Sequence, residues 1–319
     1  MKFNPSRAFA VKKLENFIEN NLSQYSKLRN FDFGPEKRSN ISCISPYITH
    51  GILTEIEIIK KVLKKSLFIK NEKFIQEILW RVYWRGWLEL RPTVWSDYLI
   101  DLKKKKLELK DNQNYLNAIQ GKTNIECFNQ WVFELKELNY LHNHTRMWFA
   151  SIWIFTLKLP WELGAELFMK HLFDGDSASN TLSWRWVAGI QTQGKNYLAR
   201  ESNIRKFTNQ RYMNISLNEN ALPLESPKIY SLQEVRHLHT RQKYKNLVLF
   251  ETDLNVKERY SFFKNYDNIF LVLLDNKNRN IKLDEKVLNF KRTLQEAFAN
   301  EISNSQIIDE DTFMSLNAQ

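Results

Sequence analysis

Hydrophobic and polar positions alternate with helical spacing through most of the first two thirds of the chain. Residues 4–22 place Ala8, Val11, Leu14 and Phe17 on one face, the pattern of an amphipathic helix. Thr54-Glu55-Ile56-Glu57 reads as a capping box, a hydroxyl at the cap and a carboxylate three residues on, and opens a helix to about Ser66. A further helix is predicted from Asn71 to Leu90, stopped by Arg91-Pro92. Thr123-Asn124-Ile125-Glu126 reads as a second capping box leading a helix to about Asn139. The stretch His144 to Leu157 is strongly apolar and is broken at Pro160, after which helices start from Trp161 and from Asp176.

The pattern changes after about residue 213. Residues 214–227 are polar and carry prolines, which predicts a linker. Two short apolar runs follow, Asn246 to Phe250 and Asn268 to Leu274, separated by a helical stretch through Tyr260 and followed by a helix near residues 283–300. That order predicts a small βαβα unit with two buried parallel strands, and a loose tail after Ser303. The expected organisation is a helical domain over residues 1–213, the linker, and a small α/β unit of open role over residues 228–319.

Composition sharpens this picture. The 319 residues include only 8 Gly and 7 Pro, so turn signals are sparse and long helices are favoured over many strands. The formal net charge is +11, which points to an anionic partner such as nucleic acid. Two cysteines, Cys43 and Cys127, supply neither a disulfide framework nor a metal knuckle. A reduced, cytoplasmic compartment fits them. No run of ~18 apolar residues is present, so neither a membrane span nor a membrane partner is expected, and the first residues have no apolar core of signal-peptide length.

Candidate chemistry is concentrated in a few places. Asp174-Gly175-Asp176 is followed by Asn180, Trp184 and Trp186, an acid-rich turn leading into tryptophans that suits a planar, redox-active ligand. Glu77, Trp80 and Arg81 share one helix face, a combination that reads equally as a buried Glu77–Arg81 salt bridge beside a packed indole. Asn143, Arg146 and Met147 form a second face. His142 and His144, two apart, do not share a helix face, and no metal site is expected from them. No G-x-G-x-x-G run exists, so dinucleotide binding of the Rossmann type is not supported.

In order along the chain, these motifs resemble those of the photolyase/cryptochrome family over roughly residues 20–200. The resemblance implies a mainly α fold, a photolyase-type helical FAD-binding domain followed by the small α/β unit. It also implies FAD as cofactor. Asp174-Gly175-Asp176 and Asn180 would grip the flavin, with Arg146 pairing Asp174. Tyr25, Ser42, Cys43, Ile44, Ser45 and Phe74 would line the rest of the cofactor site; Ile41 stands where the family has threonine. Glu77-Ile78-Leu79-Trp80-Arg81 resembles the family's E-L-I-W-R, so Glu77, Trp80 and Arg81 would meet a pyrimidine dimer in DNA together with Arg29, Asn143, Met147 and Trp186. The (6-4) repair enzymes carry histidines where Asn143 and Met147 stand, which favours cyclobutane dimers.

Glu77 and Asn180 would act in catalysis, and Trp161 and Trp184 match the inner members of the family's electron relay. Its outermost tryptophan is replaced near Glu108, and His144 replaces an arginine. The family's N-terminal antenna domain has no counterpart. The implied activity is light-driven repair of cyclobutane pyrimidine dimers in damaged DNA, single-stranded or duplex. The alternative is a blue-light-sensing flavoprotein without repair activity. The sequence leaves the oligomeric state open.

Overall fold

A computed structural model describes residues 2–226, 228–234 and 244–316. Several of its helices begin at local side-chain caps. Helix α1 (Arg7–Asn20) starts after Ser6, whose hydroxyl accepts from Phe9 N, and buries Ala10, Leu14, Phe17 and Ile18. The buried stripe is therefore one step round from the expected face, and Ala8 is exposed. After the single turns α2 (Tyr25–Leu28) and α3 (Ser45–Thr49), α4 (Glu55–Lys65) opens as expected, with Thr54 Oγ1 accepting from Glu57 N at 3.1 Å. The long helix α5 (Phe68–Glu89) ends at the Arg91-Pro92 break, and α6 (Thr93–Leu109) carries the lysine run 103–106.

The chain continues through α7 (Gln113–Gln120), α8 (Glu126–Leu138) and α9 (Asn143–Ser151). The expected box at Thr123 does not cap α8. Its hydroxyl instead accepts from Ile125 N and bonds the Asn129 amide, so the residue closes the preceding loop. One π-helical turn, Ile152–Thr156, extends α9 before Pro160 starts α10 (Trp161–His171). Helix α11 (Ser177–Ala188) is capped at one end by Asp176 and closed at the other by Gly189 at φ +84°, and α12 (Glu201–Phe207) completes the helical body.

Residues 214–226 and 228–234 do not leave that body. Asn218 N and Nδ2 donate to Thr156 and Phe155, Leu224 N to Ala188 O, and Gln233 N to Leu90 O, while Lys228 lies 3.2 Å from both Asp97 and Asp101. Pro227 lies outside the described residues.

The C-terminal unit holds β1 (Asn246–Leu249), α13 (Tyr260–Phe263), β2 (Asn268–Leu273), α14 (Glu285–Glu301), β3 (Ser305–Asp309) and α15 (Glu310–Leu316). The sheet is parallel in the order β1-β2-β3, with Leu249 opposite Leu271 and Leu271 opposite Ile307. The tail expected to be loose thus supplies a third strand. Ile307 and Ile308 were too short an apolar run to read as a strand without the sheet beside them.

Two large buried cores and one small cluster of Leu88, Val94, Ala178 and Leu182 form among the described residues. One gathers Trp131, Trp148, Trp153 and Trp184 within α8 to α11. The other packs α1, α3, α4 and α5 against the C-terminal unit, joining Leu14, Ile44, Ile58 and Ile75 to Leu249, Leu271, Phe290 and Leu294.

Candidate cofactor and substrate cavity

A cavity of about 810 Å³ lies where the two cores meet. Ile44, Ile48, Phe74 and Ile78 line it from one core; Ala150, Phe168, Leu172 and Trp184 line it from the other. Its volume falls in the ~300–1,000 Å³ range of ligand sites. Around this apolar lining the polar groups come mainly from residues 42–45, α5, the start of α9 and the 174–186 stretch, joined by Arg29, Asn30, Gln191 and Thr192.

Asp174, almost fully buried, is held by Arg146, whose Nη2 donates at 3.0 and 2.9 Å to the two carboxylate oxygens, and by the Ser45 hydroxyl. Arg146 is fixed in turn by donating from Nε to Leu141 O and by lying over the Tyr140 ring at 5.1 Å. Asp176 caps α11, accepting from Ala178 N and Ser179 N at 2.9 Å each, and lies 2.6 Å from Arg81 Nη2. Burial pushes its pKa up, but the Arg81 charge and the Ser179 hydrogen bonds outweigh that and hold it below the usual carboxylate range. Asn180 donates from Nδ2 to Ala165 O at 2.8 Å, which leaves its amide oxygen for the cavity it lines.

The sequence-based choice between pairings is settled by neighbours distant in the chain. Glu77 and Arg81 are not each other's partners. Glu77 pairs with Arg29 from α2's end, and Arg81 pairs with Asp176. Tyr25 and Phe74 meet edge to face at 5.1 Å on the wall below Glu77. Cys43, buried, adopts φ +51°, a strained value for a residue with a Cβ, and burial raises its thiol pKa. Asn143 is exposed at the rim, and Met147 and Trp186 line the cavity half-buried. Trp186 stacks on Tyr197 at 5.9 Å.

His144 fills the family's arginine position. Its Nδ1 faces Asn30 O at 2.9 Å, its Nε2 faces the Tyr197 hydroxyl at 3.1 Å, and burial lowers its pKa, so it brings no positive charge at neutral pH.

Two of the proposed relay residues part company. Trp184 lines the cavity, edge-on to Phe168 and Trp153, and its buried Nε1 has no hydrogen-bond partner among the described residues. Trp161 is not on the cavity wall; it stacks on Tyr98 at 5.4 Å with the Arg185 guanidinium over its ring. The sequence reading passed over three rim residues of α5, Tyr83, Trp84 and Trp87. Their spacing from Trp80 at i+3, i+4 and i+7 was the available signal.

These donors suit FAD. The Arg81 Nε and Trp184 Nε1 groups are buried without hydrogen-bond partners among the described residues, and a ligand with phosphate and ring acceptors would satisfy them. The hydroxyl-bearing 42–45 segment lines the same cavity beside Asp174, joined to it through the Ser45 hydroxyl.

Comparison with known proteins gives a consistent family likeness. The family described as "FAD binding domain of DNA photolyase" matches residues 74–216. A protein of Buchnera aphidicola named deoxyribodipyrimidine photo-lyase is 29% identical over 190 residues, covering 58% of this chain and 39% of that one. One of the same name from Vibrio cholerae is 25% identical, covering 58% and 40%. The chain thus spans about two fifths of the length of these relatives.

Among solved structures, a class III photolyase from Agrobacterium tumefaciens superposes with a TM-score of 0.54 at 24% identity, over 64% of this chain and 43% of its own. A cryptochrome from Synechocystis superposes at 0.55 with 22% identity, over 66% and 44%. At these identities the structural likeness speaks for the fold.

Proposed function

We propose that this chain, whose residues 74–216 match the family described as "FAD binding domain of DNA photolyase", carries out light-driven repair of cyclobutane pyrimidine dimers in DNA. One observation carries the proposal. Glu77 and Trp80, Asn143 and Met147, and Asn180 and Trp186 come from three separate stretches of sequence and line one cavity. A dimer entering between them would meet a carboxylate, the Asn143 amide, a thioether and two indoles, with the Asn180 amide left to the cofactor.

FAD, bound reduced, would supply on absorbing blue light one electron, returned once the two C–C bonds of the cyclobutane have opened. The residues of the chain bind, orient and exclude water. Asp174, locked by Arg146 and Ser45, would accept from the flavin ring system, and Asn180 would face its central ring as a neutral partner. Arg81, already compensated by Asp176, would offer its free Nε to the phosphates. Glu77 would accept hydrogen bonds from the base edges of the dimer, while Trp80 and Trp186 pack its faces; each stacked base is worth ~1–3 kcal/mol. A dimer costs less to extrude than a paired base, which gives selectivity.

The test is direct. The purified protein is reduced, mixed with dimer-containing oligothymidine and illuminated with blue light, and absorbance near the nucleobase maximum is followed. Recovery supports repair. Bound FAD without recovery supports a light sensor on the same scaffold, for which one observation speaks: His50 and Phe173, on segments bordering the cavity, contact the C-terminal unit directly through Glu251 O and the Phe290 ring. A colourless preparation removes both readings. Glu77→Ala and Trp80→Ala should weaken dimer binding with flavin retained; normal binding and repair by Glu77→Ala would overturn the pocket assignment.

A further inference from the structure

We propose that the rim of α5 is a stacking track for unpaired DNA bases flanking the one that enters the cavity, so that this chain selects single-stranded DNA. The inference rests on the repair reading for the cavity itself, and adds a partner surface beyond it. Trp80, Tyr83, Trp84 and Trp87 follow one another at i, i+3, i+4 and i+7, and at ~100° per residue they occupy an arc of about 100° on the helix. Trp80 and Trp84 stack at 5.6 Å and 28°, and Tyr83 meets both at 5.3 and 5.1 Å.

The buried core of the helix is Phe74, Ile75, Ile78 and Leu88; Trp84 and Trp87 are half-buried, each packing on the cluster of Leu88, Val94, Ala178 and Leu182, while Trp80 and Tyr83 belong to no buried cluster among the described residues. Trp80 is 48% exposed and Tyr83 52%. A contiguous exposed aromatic patch marks an interaction site.

Dimensions, charge and continuity identify the occupant. Seven residues of helix from Trp80 to Trp87 advance about 10 Å, the length of about three base steps at ~3.4 Å each. All four rings line the cavity, so a strand with a dimer or a base inside has its neighbouring bases within reach of them. Cations stand at both ends of the row. Lys73 is exposed two turns before Trp80 on the same stripe, and the Arg91 guanidinium sits 4.4 Å over Trp87. Aromatic rungs beside positive charge are how proteins hold single strands, because every base offers a face to stack on. In a duplex the flanking bases stack on each other and leave the rungs empty.

The test uses the full chain and undamaged oligothymidylates of two, four, six and eight nucleotides, with the eight-mer also paired to oligodeoxyadenylate. Affinity is read by fluorescence anisotropy or calorimetry. Affinity should climb with length to about four or five nucleotides and fall on pairing. Tyr83→Ala and Trp87→Ala should each reduce eight-mer affinity by ~5- to 100-fold, and Trp87→Phe should restore most of it. Tyr83 is the more exposed of the two, so a failure of Trp87→Ala to fold leaves the test intact.

Length-independent binding, equal affinity for the paired eight-mer, or wild-type affinity in both alanine variants overturns the track. A face that takes a protein helix instead of DNA would give the last of these results. The repair assay reads the cavity separately. Repair without length dependence keeps the cavity and removes the track, and length dependence without repair does the reverse.

Discussion

Replacing Gly164 with alanine should push Trp184 into the cavity and cost both stability and flavin binding. A Cβ at residue 164 would lie 2.3 Å from Cη2 and 2.5 Å from Cζ3 of Trp184, and 3.0 Å from Trp153 Nε1. Carbon atoms at rest sit ~3.5–4.0 Å apart, so the overlap exceeds about 1 Å. The indole cannot retreat into the core. Phe168 stands edge-on at 5.1 Å, Phe149 and Trp153 at 6.4 and 6.3 Å, and Trp153 is pinned by its 2.8 Å bond to Pro160 O. The open side is the cavity that Trp184 already lines.

Two effects compete. Overpacking costs ~1–3 kcal/mol, and an overlap this large against a rigid ring places it at the upper end. Alanine in a helix gains ~1 kcal/mol over glycine. The net expectation is a loss of ~2 kcal/mol, or a fall in melting temperature of ~4–8 °C at ~2–4 °C per kcal/mol.

Gly86 on α5 is the control, because a Cβ there meets nothing within 4 Å. Gly86→Ala should stabilise by ~1 kcal/mol from propensity alone. Thermal denaturation, with flavin content read from visible absorbance, checks both variants. If Gly164→Ala melts at or above the wild type with full flavin, the packing argument for Trp184 is wrong.

Three further outcomes are expected. Arg81→Gln leaves the Asp176 carboxylate buried without its cation, which should cost ~3–5 kcal/mol in chemical denaturation; a loss under ~1 kcal/mol would show that the pair is not buried as described. Arg146→Lys keeps the charge but cannot hold both Asp174 oxygens and Leu141 O together, so FAD affinity should drop by about tenfold or more; an unchanged dissociation constant would remove Asp174 from the cofactor site.

Stability should also fall with acid. Burial holds the imidazoles of His50 and His142 at about 3 against an ordinary ~6.5, so the unfolded chain binds more protons between those values and the folded state loses ground as pH drops through them. Burial of Glu251 is outweighed by Lys291 and Arg279, which hold it at about 2, adding a further loss below ~4.5 that Glu251→Gln should remove. A melting temperature that rises between pH 7 and pH 5 would contradict this assignment.

What the sequence alone determined is what short-range chemistry controls. The Thr54 cap and the Arg91-Pro92 stop each involve residues within one turn of the element they bound. The parallel pairing of β1 and β2 was legible as well, because two apolar runs flanking a helical stretch leave few arrangements. The order of the motifs around Glu77, Asn143 and Asp174 carried the family resemblance, since each motif is local.

What only the tertiary structure decided is partner choice. Glu77 and Arg81 are one turn apart and could have paired, yet Arg29 and Asp176 are brought to them by other elements, and a guanidinium goes to the carboxylate that folding leaves nearest and least solvated. Thr123 had a box to cap a helix, and Asn129 took its hydroxyl. The Ile307 strand exists because β2 offers it an edge. The cavity itself has no sequence signature, because its walls come from two cores, one built mostly from the middle of the chain and the other from its N-terminal and C-terminal parts together, and hydrophobic burial is indifferent to the order in which the buried residues are connected.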